Sequence, residues 1–380
     1  MTGYFRDRKF YLGILWFLAL IGSQFYTSNS GGLQPGYAPL LLVMSLSIFK
    51  IKNIKIYDIE IIKYLAIFFV YIVFVNTTWS LIEQDITFFS SLIYWLFGFI
   101  VLISGVIDLN SKRVVSFLRN SAFLGIAILF LFWVSGSGRY DVPPRYNGYF
   151  NDPNQMAFWI LCTFSVYFYL IPKHSKWLVS ILLMLSAVLI FATISRSALL
   201  GLAFSTIGVI IRFQGFGSRS SLSNKIFYII SSLIIFVPIF LYFSKSNAYI
   251  ALTERFLTSD FGSQAEIRGY TRILEYPEYL LLGAGQGLDF RFESVHEIHS
   301  SWAALLFYYG MFGLSIFLIF LIKIFIKLDL AGKFVFVGPL VYGFSTYGLR
   351  SPIFWFFIAA AIYSAKMNIK SINSIKGHQF

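Results

Sequence analysis

The amino-acid sequence predicts an all-α polytopic membrane protein of about twelve transmembrane helices with one large outer loop, and three observations carry that prediction. The first is composition: 58% of the 380 residues are hydrophobic, 12% are charged and the mean hydropathy is +0.74. Soluble domains carry about 25% charged residues. A chain this apolar, with 20% aromatic residues, has too little polar surface to wrap itself and takes lipid as its solvent. Disordered, collagen-like and disulfide-scaffold classes are excluded, and the single cysteine, Cys162, lies inside an apolar run where it supports neither a disulfide nor a thiolate metal cluster. The second observation is a series of twelve apolar runs, near residues 10–23, 36–49, 61–76, 86–107, 117–134, 155–171, 177–193, 197–212, 226–243, 300–322, 334–348 and 352–365. Several fall short of the roughly 20 residues a straight span needs, so polar flanks must extend those helices.

The third observation is where lysine falls. Positive charge in short loops stays on the cytoplasmic side. With the N-terminus inside, fifteen of sixteen lysines lie on alternate, cytoplasmic segments, the exception being Lys245. Both termini are then cytoplasmic, and the net charge of +13 marks one face of a bilayer rather than a nucleic-acid-binding surface.

Taken in order, the first run follows Arg6, Arg8 and Lys9 like the start of a signal peptide, but no small-residue cleavage pattern follows it, so it reads as a retained span. The sixth opens at Asp152-Pro153, an N-cap residue followed by proline at the first helical position. Between the seventh and eighth spans, Ile194-Ser195-Arg196-Ser197 leaves almost no loop, which puts a guanidinium close to membrane depth, where it needs an anion or must snorkel to the headgroups. The chain thus divides into spans one to nine over residues 1–243, a large outer loop over 244–299, and spans ten to twelve with a cytoplasmic tail over 300–380.

Arginine breaks the lysine pattern, with six inside and eight outside: Arg139, Arg145, Arg196, Arg255, Arg268, Arg272, Arg291 and Arg350. Nine basic groups face twelve acids outside, so the outer face is not generally basic; its cations are almost wholly guanidinium. A guanidinium grips phosphate oxygens with a planar, permanently charged fork, which lysine lacks. The outer arginines therefore either pair with loop acids or hold a diphosphate-bearing ligand.

The large loop has its own pattern. Ser263-Gln264-Ala265-Glu266 reads as a capped helix start, placing Arg268 and Arg272 on one helical face before Pro277; such like charges need an anion between them, or Glu266, Glu275 and Glu278 as partners. Gly283-Ala284-Gly285-Gln286-Gly287 lacks the spacing of a dinucleotide fingerprint and reads as a turn allowing close backbone approach. Glu293, His296, Glu297 and His299 cluster before the tenth span at spacings that match no strong metal motif. His299, just ahead of Ser300, Ser301 and Trp302, is either an interfacial cap or a general base, since imidazole titrates near pH ~6.5.

These stretches together resemble the bacterial O-antigen ligase and O-antigen polymerase family of integral membrane glycosyltransferases. The matching pieces are Gly148 to Ala157, Ser195 to Leu200, Arg268-Gly269-Tyr270, Tyr276 to Gly287, and His299 to Gly313. Ser300 departs from the asparagine that often follows the histidine, and Tyr270 stands near a usual tryptophan. The resemblance implies a GT-C-like fold in the bacterial inner membrane with its active site on the periplasmic side. It also implies transfer of a glycan from undecaprenyl diphosphate to an acceptor hydroxyl, without nucleotide sugar, metal or other cofactor. Carried over, Arg196 and Arg268 match the arginines that would hold the diphosphate and His299 the catalytic histidine; the residue pattern itself adds Arg272 to the diphosphate set and Arg145, Asn154, Tyr270, His296 and Arg291 as candidate contacts to donor or acceptor. The implied partners are the undecaprenyl-diphosphate-linked glycan, an acceptor glycolipid, a chain-length regulator protein and membrane lipids, with no nucleic acid.

The residues suit that chemistry on their own terms. A lipid diphosphate is a stable leaving group, so transfer needs charge neutralisation and a base for the acceptor hydroxyl, which arginines and one histidine supply. The preferred reading is a polymerase that extends one lipid-linked repeat with another by inverting displacement. The alternatives are a ligase acting on lipid A core and, from another class, a polysaccharide flippase or transporter.

Overall fold

Within lipid an α-helix satisfies its own backbone donors and acceptors, so long apolar runs have one stable outcome. A computed structural model describes residues 2–27, 34–49, 56–172, 175–214, 250, 253–254, 262, 265–266, 268–287, 289–292 and 297–376. Its principal helices are α1 Thr2–Gly22, α2 Tyr37–Ile48, α3 Ile56–Glu83, α4 Phe88–Asp108, α5 Lys112–Val134, α6 Pro153–Leu170, α7 Lys176–Thr193, α8 Arg196–Gln214, α9 Ser301–Phe325, α10 Leu330–Tyr342 and α11 Pro352–Lys376. No strand occurs among the described residues, and seven helices are long and apolar enough to cross a membrane, with shorter apolar helices at Lys9–Gly22, Tyr37–Ser47 and Leu330–Tyr342. The expected span at 226–243 lies outside the described residues; each of the other expected runs overlaps a helix, but the run at 334–348 is helical only to Tyr342, where α10 ends and the chain turns. The chain is therefore a multi-pass, all-helical membrane protein.

The helices fall into two compact units, each assembled from separated stretches of chain. The first comprises residues 1–42, 111–258 and 328–342. Its centre is α6, on which almost every side chain from Met156 to Leu170 is buried. Trp159 donates from its indole to Ser23 Oγ at 2.8 Å and packs on Gly125 of α5, tying α1, α5 and α6 together. Beside it, α8 and α10 cross closely because small residues face one another. A Cβ on Gly201 would sit 2.8 Å from the Gly338 carbonyl, and one on Gly208 would sit 2.7 Å from that of Ala331. Lipid offers apolar side chains no hydrophobic gain on meeting, so such close packing holds membrane helices together.

The second unit comprises residues 43–110, 259–327 and 343–380. Its core is a cluster of rings, with Phe68, Trp95, Tyr309, Phe317 and Trp355 meeting largely edge to face at 5.1–6.2 Å. At one end of this unit Lys366 extends its ammonium to Asp58 at 2.8 Å and to Asn110 at 3.1 Å. Sequence pattern places Lys366 in the tail after the last span; instead α11 runs on to Lys376, and the buried carboxylate of Asp58 retains Lys366 inside the unit.

Candidate functional site

At one end of the first unit, residues 135–152 fold back on themselves. Arg139 N donates to Gly148 O at 2.8 Å, Asn147 N returns a bond to Arg139 O at 3.0 Å, and the Asn147 amide donates to Asp141 Oδ2 at 2.7 Å. The chain then starts α6 as its sequence requires, with Asp152 Oδ1 accepting from Asn154 N at 2.6 Å and Pro153 at the first helical position.

This loop caps α7. A helix ends with carbonyls that lack partners. Here Tyr146 N donates to Ala192 O at 2.9 Å and Arg145 Nε to Thr193 O at 2.9 Å. Arg145 also donates to Asn154 Oδ1 at 2.9 Å, and the Asn154 carbonyl accepts from Tyr342 Oη at 3.0 Å. Two residues join α7 to α8, and Ile194 accommodates the reversal in the left-handed region at φ 52°, ψ 38°. For a β-branched side chain that conformation costs on the order of 1–3 kcal/mol and persists only where its surroundings over-determine it. Arg196, half-buried, opens α8 immediately afterwards.

In the second unit Gly269 turns the chain at φ +71° and packs on Ile298, and His299 N donates to Arg268 O at 3.1 Å. Two of the expected site residues, thirty-one positions apart in sequence, are thereby adjacent. Among the described residues no carboxylate pairs with Arg268, and His299 is exposed. Tyr270 donates to Ser300 Oγ at 2.9 Å, while Ser300 caps α9 by accepting from Ala303 N at 3.2 Å.

Arg272 does not share a helical face with Arg268. The left-handed Gly269 ends the local helix, and Arg272 opens a separate turn, Arg272–Glu275. Only 3% of Arg272 is exposed, and its guanidinium meets Asp289 Oδ1 at 2.9 Å, the oxygen that also accepts from Tyr308 Oη at 2.6 Å. A carboxylate of the chain thus occupies the place expected for a ligand phosphate. Burial pushes the Asp289 carboxyl above the usual carboxylate range, although Tyr308 and Arg272 pull it down.

Arg291 is likewise structural. Its Nη2 donates to Ala284 O at 2.8 Å, its Nη1 lies 3.5 Å from Glu83, and the guanidinium stands 4.8 Å from the Phe88 ring. It clamps the glycine-rich stretch 283–287 onto α3 and α4. That stretch also docks on a break in α9. Gly310, at φ +65° and ψ −177°, interrupts the helix, leaving the carbonyls of Phe307 and Tyr308 to accept from Ala284 N and Gly285 N at 2.9 Å each.

A polar network, buried at Gln286 and partly exposed at Arg350 and Glu297, completes this end of the second unit. Gln286, 2% exposed, accepts at Oε1 from Tyr309 at 3.0 Å and Tyr347 at 3.1 Å, and its backbone N donates to Asn76 at 3.1 Å. Arg350 forms a two-pronged pair with Glu297 at 2.7 and 2.9 Å. Burial opposes the Arg350 charge, but Tyr347 and Glu297 outweigh it and hold the guanidinium above its ordinary value. The Tyr347 phenol is pushed up to about 12, chiefly by burial. Two signals pointed here: a glutamine between two glycines, and one arginine in a short, otherwise neutral connector.

No family model and no curated protein matches the chain. The expected residues therefore stand on geometry alone. Arg145, Asn154 and Arg196 belong to the first unit, with Arg145 bonded to Asn154 and to the end of α7; Arg268, Tyr270, Arg272, Arg291 and His299 belong to the second; His296 lies outside the described residues.

Proposed function

We propose that this membrane protein is a glycosyltransferase of the O-antigen polymerase or ligase type, using a glycan on undecaprenyl diphosphate as donor and working at the periplasmic face of a bacterial inner membrane. The observation that carries the reading is the juxtaposition of His299 and Arg268 through a 3.1 Å backbone bond at the start of α9. It puts a base-forming residue and a fixed cation on two segments bonded to each other where a long apolar helix begins. In this reading Arg268 neutralises the departing diphosphate, the imidazole of His299 accepts the proton of the acceptor hydroxyl, and the oxygen attacks the anomeric carbon as the carbon–diphosphate bond breaks. Arg272 has no part in it, because Asp289 already holds its charge.

A polymerase taking a second lipid-linked repeat as acceptor is the preferred form, and a ligase taking lipid A core is the alternative. The test is the surface-glycan length profile of a strain that depends on this chain, complemented with wild type, His299→Ala or Arg268→Ala. The proposal expects single capped repeats from both variants if the chain is a polymerase, or unligated polymer if it is a ligase. A wild-type ladder from both, with the protein present in the membrane, rejects the assignment. Translocation of lipid-linked glycan into vesicles that survives both substitutions would favour a transporter.

A further inference from the structure

At the opposite end of the first unit from Arg145 and Arg196, a groove of about 470 Å³ opens between α5, the end of α6 and the start of α7. Arg119, Asn120 and Tyr167 supply its polar wall, and Phe123, Leu124 and Leu178 its apolar one. Arg119 is poorly matched: among the described residues its guanidinium makes only long contacts with neutral oxygens, to Asn120 Oδ1 at 3.2 and 3.3 Å and to Ser116 Oγ at 3.4 Å. No carboxylate pairs with it among the described residues. Lys112 opens α5 and Lys176 opens α7 at the same end, so the surroundings are cationic as well.

Beyond the groove the outward faces of both helices are apolar and exposed, with Leu124 42% and Leu131 62% exposed on α5, and Leu178 46% and Ile181 41% exposed on α7. Trp177 stands 67% exposed in the first turn of α7, where an aromatic ring suits the boundary between headgroups and hydrocarbon. A soluble anion would satisfy the guanidinium and leave this apolar track unused. A diacyl lipid with an anionic headgroup uses both.

We infer that this groove is a binding site for an anionic phospholipid of the surrounding leaflet, its phosphate held by Arg119 and its acyl chains laid along Leu124, Leu178 and Ile181. The site is independent of the proposed glycan transfer, and no residue assigned to that chemistry lines it.

Native mass spectrometry of the purified full chain in detergent tests the inference, with phosphatidylglycerol, phosphatidylethanolamine of the same acyl chains and free glycerol phosphate as probes. One phosphatidylglycerol should bind in clear preference to the zwitterionic lipid. Arg119→Ala should weaken it about tenfold or more, as loss of a charge-assisted contact implies, and Arg119→Lys less so. Leu178→Glu, on an exposed position that leaves the core alone, should weaken the lipid as well. Equal binding of both lipids, competition by glycerol phosphate at the same concentration as the lipid, or unchanged binding in both Arg119→Ala and Leu178→Glu overturns it.

Discussion

The ion pair between Arg272 and Asp289 permits a quantitative forecast. At 2.9 Å, and with the effective dielectric of about 20 that suits protein sites, two unit charges attract by about 6 kcal/mol. Against this stands the cost of desolvating both ions, Arg272 being 3% and Asp289 14% exposed at the side chain. Burial holds the Asp289 carboxyl above its ordinary value against the pull of Arg272 and Tyr308, so desolvation offsets much of the attraction, as is common for buried pairs. Removing one partner is a different matter, because it strands a buried charge at a cost of about 3–5 kcal/mol. Asp289→Asn should therefore lower the thermal midpoint of the purified protein by on the order of 10 °C, at roughly 2–4 °C per kcal/mol. The double variant Arg272→Met with Asp289→Leu should recover most of that loss. The raised carboxyl also sets a pH dependence. The folded state binds this proton more tightly than the unfolded one, so the contribution is greatest below the ordinary carboxylate value of 3.8 and is lost as pH rises through the raised one; Asp289→Asn should remove that slope. Detergent-phase unfolding followed by tryptophan fluorescence measures both. A wild-type midpoint in Asp289→Asn, or single-variant losses that add in the double variant, would refute the buried-pair account.

Other expectations follow from backbone geometry and packing. Gly310→Ala places a Cβ against the Leu281 carbonyl in a conformation open essentially only to glycine, so it should cost on the order of 1–3 kcal/mol and speed proteolysis within 277–287. Gly201→Leu should separate α8 from α10 and lower the yield of folded protein in detergent extraction, whereas the outward Leu200→Ala should not. Asp152→Ala removes two bonds to the start of α6 and should cost about 1 kcal/mol in the same unfolding assay.

The helices were legible because an apolar run in lipid has few alternatives, and the start of α6 was legible because Asp152 and Pro153 act on their immediate neighbours. The break in α9 was not, since Gly310 sits in an uninterrupted apolar run and its effect depends on Ala284 and Gly285 arriving from another segment. Arg272 shows the same limit. Its partner Asp289 is seventeen residues away, past three glycines at positive φ, and helical spacing says nothing about such a path. Local pattern also mistook Arg268 and Arg272 for one helical face, although the glycine that separates them was in plain view in the Arg268-Gly269-Tyr270 stretch. The two units, each gathered from separated stretches, leave no mark on composition because every apolar run resembles the next.

Whether His299 receives the acceptor's proton, as proposed, is read in single-turnover transfer by the purified, lipid-reconstituted protein. With a labelled lipid-diphosphate glycan as donor and rates taken across pH 5–8, the wild-type rate should climb as the imidazole loses its proton. His299→Ala should transfer at least about a hundredfold more slowly and lose that climb, with its helical circular dichroism intact. Transfer by His299→Ala at close to the wild-type rate, on an unchanged pH profile, would contradict it.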